Sequence, residues 1–351
     1  MQVDLIIIGQ GISGTCLSYF LSRENISFIV IDDERKNAPS RVAAGIINPV
    51  TGRRIVRTWM IEELLPYTWN FYTQLGTELG TQSISEKKII DFFPSPQMKI
   101  AFDERLNGGE TYLQKPVDEN IFRKQFNYDF GFGSVSPAYT VHLENILPAW
   151  RNKLAKENNL LEEEFDFSQL KVSDKVEYKN IMAKQIIFCN GVQSYQNPYF
   201  TKLPFAPNKG EMLIVEIPCL SNEYLYKKGM TMAPLATKDL FWLGSNYLWE
   251  FDNENKTEAF YKQAEALLKS WVKLPYKIID HKVSVRPATL ERRPFVGFHP
   301  HHPSVGILNG MGTKGCSLAP WFAKQLVDKI LYDKPVSLEA DISRFKKILG
   351  T

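Results

Sequence analysis

The sequence predicts an α/β fold made of two domains, each assembled from separated pieces of the chain. The first observation is a β-branched run at residues 3–8 that is followed at once by glycines and a helical stretch. The second is the return of strand-like runs separated by Pro and Gly in residues 88–135 and 205–285. The third is a closing strand, glycine-rich turn and amphipathic helix over residues 304–331. This order predicts a parallel sheet with helices, interleaved with an antiparallel sheet.

Composition narrows the class of protein. The 351 residues are enough for two domains or one large interleaved one. The apolar share of 44% and the charged share of 23% are ordinary for a soluble globular protein. The net charge of +3 is too small to indicate nucleic-acid binding by itself. Four scattered cysteines without a C-x-x-C pair argue against a zinc site and fit a reducing compartment. With no signal peptide and no transmembrane run, we expect a cytoplasmic protein without a metal.

The first strand leads into three glycines at the spacing G-x-G-x-x-G. Gly9 allows a tight turn, Gly11 lets the backbone approach a pyrophosphate, and Gly14 lets the next helix pack closely on the strand. That helix would direct its free N–H groups and positive dipole end toward the phosphates. A second strand at 27–31 ends in Asp32, which we expect at the strand's exposed end as an acceptor for a ribose hydroxyl. Together these elements predict a site for an adenine dinucleotide.

The segment after the second strand has two features of its own. Three small residues come first, Ala43, Ala44 and Gly45. They let the backbone lie against a flat or bulky ligand and are placed to reach the middle of a long cofactor. A basic cluster follows, Arg53, Arg54 and Arg57. The pattern fits either an exposed surface cluster or an anion-binding one.

The remaining elements follow from periodicity and turn signals. Helical spacing covers residues 61–79, where Pro66 argues against one uninterrupted helix, and further helices are predicted at 141–158 and 256–271. Antiparallel strands are predicted at "KIIDFF", "KIAFD" and "FGFGSVS", and a hairpin at "EFDFSQLKV" and "KVEYKNIMA". Residues 184–191, "KQIIFCNG", have the shape of the first strand and predict another buried strand.

Four motifs stand in one order along nearly the whole chain: "GQGISG", "SRVAAGIINP", "IIFCNG", and "VRPATLERRPFVG" followed by "NGMGTKGCSLAP". Together they resemble the FAD-dependent D-amino-acid-oxidase-like superfamily, which includes glycine oxidase, sarcosine oxidase, D-amino acid oxidase and the oxidase domain of a tRNA-modifying methylaminomethyluridine enzyme. The resemblance implies an FAD/NAD(P)-binding Rossmann-like domain interleaved with an antiparallel-sheet substrate domain, with the flavin at their interface. The FAD-binding domain would comprise residues 1–87, 137–206 and 284–351, and the substrate domain residues 88–136 and 207–283.

The resemblance carries the cofactor positions over residue by residue. They are Gly9, Gly11, Ile12, Ser13, Gly14, Asp32, Asp33, Ala43, Ala44, Gly45, Asn190, Gly191, Gly312, Thr313, Lys314 and Gly315. The terminal "GMGTKG" would lie at the flavin's pyrimidine end, where a helix N-terminus and the Lys314 side chain would stabilise negative charge. No residue matches the family's covalent attachments, so the resemblance implies noncovalent FAD.

The substrate side carries over less completely. Arg286, in "VRP", matches the arginine that binds the substrate carboxylate in the amino-acid oxidases, a task that suits a bidentate guanidinium. An ordinary interdomain ion pair is the alternative role for this arginine. "KGE" stands where the family commonly has Arg-Gly-Gln, which leaves the role of Lys209 open. The family's active-site tyrosine pair has no clear match, although three tyrosines lie in the corresponding part of the chain, Tyr224, Tyr226 and Tyr247.

The resemblance implies an FAD-dependent oxidoreductase that oxidises the carbon–nitrogen bond of a small amine or amino acid by hydride transfer to flavin N5. Two alternative enzymes remain: a flavin dehydrogenase with a non-oxygen electron acceptor, and an oxidase that acts on a nucleic-acid-borne amine. In the second, the arginine cluster would meet phosphates. A non-catalytic FAD- or NAD-binding module is a third alternative. We expect a small-molecule amine or amino acid, and no nucleic acid, as the partner.

Overall fold

The computed structural model of the protein describes residues 1–52 and 54–350, so Arg53 and Thr351 lie outside the described residues. The first elements are β1 (Gln2–Ile8), α1 (Ile12–Ser22), β2 (Phe28–Ile31), α2 (Pro39–Val42), β3 (Ile46–Ile47), β4 (Val50–Thr51), β5 (Val56–Arg57), α3 (Ile61–Leu79), β6 (Ile84–Phe92), α4 (Pro96–Asn107), β7 (Leu113–Gln114), β8 (Phe132–Val141) and α5 (Leu143–Lys156). The later ones are β9 (Leu160–Leu161), β10 (Leu170–Val172), β11 (Val176–Tyr178), β12 (Ile181–Phe188), β13 (Asn208–Glu216), β14 (Tyr224–Lys228), β15 (Met230–Pro234), β16 (Leu240–Gly244), α6 (Glu258–Trp271), β17 (Lys277–Arg286), β18 (Phe295–His299), β19 (His302–Asn309), α7 (Gly315–Tyr332) and α8 (Lys346–Leu349).

The first sheet has eight strands, and its central strands are parallel. β1 lies between β2 and β12 and runs parallel to both, while β19 lies parallel beside β12. The carboxyl-terminal half of β1 and all of β2 are buried, as expected of strands that helices cover on both faces. On one face α1 and α5 pack together, and Trp150 donates its Nε1–H to Ser18 Oγ at 2.8 Å. The parallel α/β domain predicted from the sequence is confirmed.

The second sheet has nine strands in the order β17-β13-β16-β15-β14-β6-β8-β3, with β7 beside β8. Its neighbours pair antiparallel except for β14 and β6, which are parallel. Helix α6 packs on one face, where Phe92 and Trp271 are fully buried. The opposite face turns toward the first sheet. The predicted α/β fold with a largely antiparallel second sheet is therefore confirmed.

Three strands run across the domain boundaries that the sequence suggests. β6 spans the boundary at 87/88, β8 the boundary at 136/137 and β17 the boundary at 283/284. At these three boundaries the predicted domains are joined by continuous strands, whereas the boundary at 206/207 lies in the loop before β13. The division into domains stays a prediction.

The segment "KIAFD" is a helix, so the strand predicted there is wrong. Ser95 begins α4 by accepting a hydrogen bond from the Met98 N–H, and Pro96 occupies the first helical turn, where its missing N–H costs nothing. Only Phe102 is buried in this helix, packed against Gly133 of β8. The capping signal Ser-Pro outweighs a short apolar run that carries no clear period.

The expectation of a break at Pro66 is also wrong, because α3 runs without interruption through it. Pro66 is the sixth residue of the helix and removes a single hydrogen bond to the preceding turn. Leu64, Leu65 and Tyr72 of α3 are buried in the core beside α7, and this packing outweighs the loss of one bond. No helix within the described parts of the chain is long and apolar enough to cross a membrane.

Candidate active site

A cavity of about 330 Å³ lies between the two sheets. Its floor is the edge where the carboxyl ends of β1, β2, β12 and β19 meet, the place at which open α/β sheets bind ligands. Its roof is the face of the second sheet that carries Gly210, Met212, Trp242 and Arg286. The predicted cofactor residues other than Gly14 line this one cavity, and so does Arg286, whereas Gly14 is packed against the first strand behind it.

The glycine turn forms a close-packed cradle at the floor of the cavity. Gly9 has φ +96°, and a Cβ on it would lie 2.8 Å from the Cys189 carbonyl oxygen. A Cβ on Gly14 would lie 1.9 Å from the Gly9 oxygen, so the close strand–helix approach leaves no space for a side chain. A Cβ on Gly11 would meet only Ser40, at 3.2 Å from its Oγ. The cavity side of Gly11 is therefore open in front of the N-terminus of α1.

Two polar residues beside this turn were not identified from the sequence, although they open the quoted motif "SRVAAGIINP". Ser40 Oγ accepts a hydrogen bond from the Ile12 N–H at 3.0 Å. Arg41 donates from Nη2 to Gln10 Oε1 at 3.3 Å, and its Nη1 lies 3.3 Å from Glu34 Oε1. Both residues line the cavity beside the helix N-terminus, where hydroxyl and guanidinium donors favour an anion.

Asp32 lies at the end of β2, but its carboxylate is not at an exposed end as expected. It accepts hydrogen bonds from the Gln10 N–H at 2.7 Å and from the Glu34 N–H at 2.9 Å. Buried Arg151 of α5 donates to Asp32 Oδ1 at 2.6 Å. The sequence offered no local signal for this pair, because α5 returns to the strand end only in the folded protein. The neighbouring carboxyl of Asp33 has its pKa raised, mainly by burial and then by the charge of Asp32.

The small-residue segment runs between the two sheets. Gly45 has φ +69°, and a Cβ there would lie 1.9 Å from the Val141 oxygen, so only glycine fits this pairing with β8. Ala43 and Ala44 line the cavity next to it. The segment therefore presents nearly bare backbone to the middle of the cavity.

Residues 189–194 complete the floor. Asn190 and Gly191 line the cavity, and Asn190 Oδ1 accepts a hydrogen bond from Ser194 Oγ at 2.6 Å. Asn309, at the end of β19, donates from Nδ2 to the Gly191 oxygen at 2.8 Å. These bonds hold the turn after β12 against the neighbouring parallel strand.

The turn 312–315 brings a second helix N-terminus to the cavity, since α7 begins at Gly315. Gly312, Thr313, Lys314 and Gly315 all line the cavity. Lys314 donates from Nζ to Thr58 Oγ1 at 3.2 Å and has no acidic partner among the described residues. Burial lowers the pKa of this ammonium to about 8.

Arg286 ends β17 on the opposite wall of the cavity. Its guanidinium lies flat over Gly210, where a Cβ would come within 2.0 Å of Nη2. Nη2 donates to Ser245 Oγ at 2.6 Å, while Nη1 donates to the side-chain oxygen of Asn208 and to the Asn246 carbonyl. In the described part of the chain no carboxylate pairs with Arg286, so the interdomain ion pair considered above is absent there. Burial lowers the pKa of this guanidinium.

The tyrosines divide between the core and the site. Tyr247 lies under Arg286, with the guanidinium carbon 4.8 Å from its ring centroid, and lines the cavity. Tyr226 is fully buried and Tyr224 packs beside it in the core under α6, away from the cavity. Lys209 is buried on β13 and does not line the cavity, and its role is still open.

Within the basic cluster, Arg57 is paired with carboxylates and is not a free cation. Arg57 donates to Glu110 at 2.9 Å and to Glu62 at 2.5 Å. Arg54 lies nearby, and its carbonyl accepts a hydrogen bond from Arg105. Arg53 lies outside the described residues.

These features define an α/β dinucleotide-binding protein whose long cavity ends beneath Arg286, an arginine on the second sheet without a carboxylate partner among the described residues. The family model for FAD dependent oxidoreductase, DAO, matches residues 4–329. The chain belongs to this DAO family of FAD-dependent oxidoreductases, and FAD is its cofactor. The resemblance stated from the motifs is confirmed.

Solved structures with the same fold are enzymes of this kind. Glycine oxidase from Geobacillus kaustophilus has a TM-score of 0.78 at 15% identity, covering 98% of this chain and 98% of that one. Iminodiacetate oxidase from a Chelativorans species has a TM-score of 0.77 at 17% identity, covering 97% and 98%. L-proline dehydrogenase from P. horikoshii has a TM-score of 0.76 at 13% identity, covering 99% and 98%. At these identities the likeness shows the fold.

The residues of the cavity fit FAD. The Gly9–Gly14 turn and Ser40 would hold the pyrophosphate, because the backbone leaves no Cβ there and donors surround it. The bare segment at Gly45 would lie along the isoalloxazine, and the N-terminus of α7 with Lys314 would stabilise negative charge at its pyrimidine end.

We expect the flavin to leave the protein on acid or heat denaturation. Cys316 lines the cavity, but burial raises the pKa of its thiol to about 12, so the nucleophilic thiolate needed for attachment is absent at neutral pH. After precipitation, the visible absorbance should remain in the supernatant. Flavin that stays with the precipitated chain would reject noncovalent binding.

Lys314 gives the apoprotein a specific pH dependence. Its pKa is lowered from 10.5 to about 8, so between those values the unfolded chain binds a proton that the folded chain does not. Stability should therefore rise with pH from about 8 to 10.5, as the cost of the buried charge disappears. Apoprotein carrying Lys314→Met should be more stable than wild type at pH 7, and the difference should shrink toward high pH in urea denaturation. A difference that does not change with pH would contradict the assignment.

Proposed function

We propose that the protein oxidises the carbon–nitrogen bond of a small amine that carries a carboxylate, with Arg286 as the catalytic residue that binds the carboxylate. The observation that supports this is a half-buried guanidinium that lines the cavity and has no carboxylate partner among the described residues. Withdrawing a charge from water without a counter-charge is costly, and a site that tolerates the cost favours an anionic ligand. Ser245 adds a hydroxyl beside Nη2.

When bound, FAD would supply the two-electron oxidation of the carbon–nitrogen bond as a hydride acceptor, and water would hydrolyse the imine product. The chain supplies position and exclusion of water. Arg286 fixes one end of the substrate, while Met212 and Trp242 form an apolar wall of the cavity. Trp242 is held in place because its Nε1–H donates to the Val42 carbonyl at 2.9 Å.

Paired substrates test this function. Under anaerobic conditions, glycine, sarcosine, D-alanine, L-alanine and L-proline are each compared with the amine that lacks the carboxylate. The proposal expects loss of the oxidised-flavin absorbance with at least one amino acid and a far slower loss with its carboxylate-free partner. Equal rates within every pair, or no reduction by any member, would reject it. Admitting oxygen afterwards distinguishes an oxidase, which reoxidises within seconds, from a dehydrogenase that needs another acceptor.

The nucleic-acid alternative receives less support. The charge of Arg57 is neutralised by two carboxylates, whereas phosphate binding requires free cations. Binding to tRNA that weakens steeply with salt would restore this alternative.

A further inference from the structure

A buried carboxylate lies directly behind the face of the second sheet that forms the roof of the cavity. Glu211 lies on β13 between Gly210 and Met212, which line the cavity, so its side chain points to the opposite face of the sheet. The side chain is fully buried. It does not line the cavity, and a buried carboxylate demands partners.

Both carboxylate oxygens of Glu211 are fully used. Oε1 accepts hydrogen bonds from Thr257 Oγ1 at 2.7 Å and from Asn246 Nδ2 at 3.4 Å. Oε2 accepts one from the Thr257 N–H at 2.6 Å and lies 2.9 Å from His281 Nε2. The Glu211 N–H also donates to Asn246 Oδ1 at 2.7 Å, so Asn246 is held at both ends of its amide.

Asn246 and Thr257 lie at opposite ends of one segment, the 245–257 segment, which connects β16 to α6; Asn246 is its second residue and Thr257 its last. At its start it supplies three contacts to Arg286: the Ser245 hydroxyl, the Asn246 carbonyl and the Tyr247 ring. Glu211 therefore closes this segment into a loop and holds its near end against the guanidinium.

We propose that Glu211 is a positioning residue: by clamping both ends of the 245–257 segment, it holds Arg286 in the orientation that binds a substrate carboxylate. The inference rests on the proposed function for the identity of that ligand. A displacement of about 1 Å at such a group is enough to change affinity or rate by large factors. Glu211→Gln keeps the size of the side chain but sets an amide donor against the Thr257 N–H at one oxygen position or against Asn246 Nδ2 at the other.

The test uses FAD-loaded enzyme and titrates acetate and propionate against the flavin spectrum. Glu211→Gln and Asn246→Ala should each weaken binding about tenfold, with FAD content retained. The double variant should lose little more than either single variant, because both break the same clamp. With a substrate, the loss should appear in KM more than in kcat. Hydrogen exchange at residues 245–257 should become faster in both single variants.

Asp91→Asn is the matched control. Asp91 is also a buried carboxylate of the second sheet, paired with Lys227 at 2.6 Å, and it has no contact with the 245–257 segment. This variant should lose stability without any change in carboxylate affinity. If Glu211→Gln behaves like Asp91→Asn, or if exchange at 245–257 stays unchanged, the positioning role is overturned. Wild-type enzyme that binds no carboxylate would instead overturn the proposed function, and the exchange result would still decide whether Glu211 clamps the segment.

Discussion

Replacing Arg286 with alanine is expected to lower kcat/KM for a carboxylate-bearing amine by about a hundredfold or more. The guanidinium lines the cavity and has no carboxylate partner among the described residues, and its planar fork suits bidentate binding of a carboxylate. Arg286→Lys keeps the charge but loses the fork, which costs about 1.5–3 kcal/mol, or about ten- to hundredfold. The absorbance of the flavin, followed during steady-state turnover and during anaerobic reduction, measures the loss in each of the two variants.

Two further variants distinguish a loss of carboxylate binding from a general loss of stability. Gly210→Ala places a methyl group where Nη2 now lies, and the flexible side chain can move away, so the fold should survive while carboxylate binding is lost. Arg344→Ala removes a half-buried arginine that is paired with Glu291 far from the cavity, and it should lower stability alone. Equal carboxylate affinity in wild type and Arg286→Ala would refute the role of Arg286 in binding the substrate carboxylate. An equal loss of kcat/KM with a carboxylate-free amine would refute it too.

Replacing Gly11 with valine is expected to abolish FAD binding while the apoprotein still folds. A Cβ at this position meets only the Ser40 hydroxyl, at 3.2 Å, so the packed core is untouched. The added methyl groups would occupy the space in front of the N-terminus of α1, where we propose that the pyrophosphate binds. Gly11→Ala should give an intermediate loss, because its single methyl fills less of that space.

Flavin titration of apoprotein measures this series, with circular dichroism to confirm the fold. Gly14→Ala is the contrasting variant, since its Cβ would lie 1.9 Å from a backbone oxygen and must disturb the strand–helix packing itself. It should lose both FAD and stability, whereas Gly11→Val should lose FAD alone. Full FAD occupancy in Gly11→Val would show that the phosphate lies elsewhere.

Local sequence determined the first β–α–β unit, because the backbone geometry of this unit requires glycine at particular positions. Gly9 needs a positive φ and Gly14 needs the absence of a Cβ, and both needs can be identified from spacing alone. The buried strands at β1 and β12 likewise follow from short β-branched runs. Where the pattern was short and mixed, as in "KIAFD", the cap at Ser95 decided for a helix.

Only the tertiary structure decided how charged side chains are used. Asp32 is paired with Arg151, which is 119 positions away in sequence, and Glu211 has partners on both the 245–257 segment and β17. No periodicity encodes such contacts, because they depend on how α5 and α6 return to the sheets. The partners of Arg286 likewise depend on the tertiary structure. Its motif predicted an arginine that binds an anion, and only the folded chain shows that no described carboxylate reaches the guanidinium. A charged side chain needs a counter-charge only where it is removed from water, and the whole fold decides which side chains are removed from water.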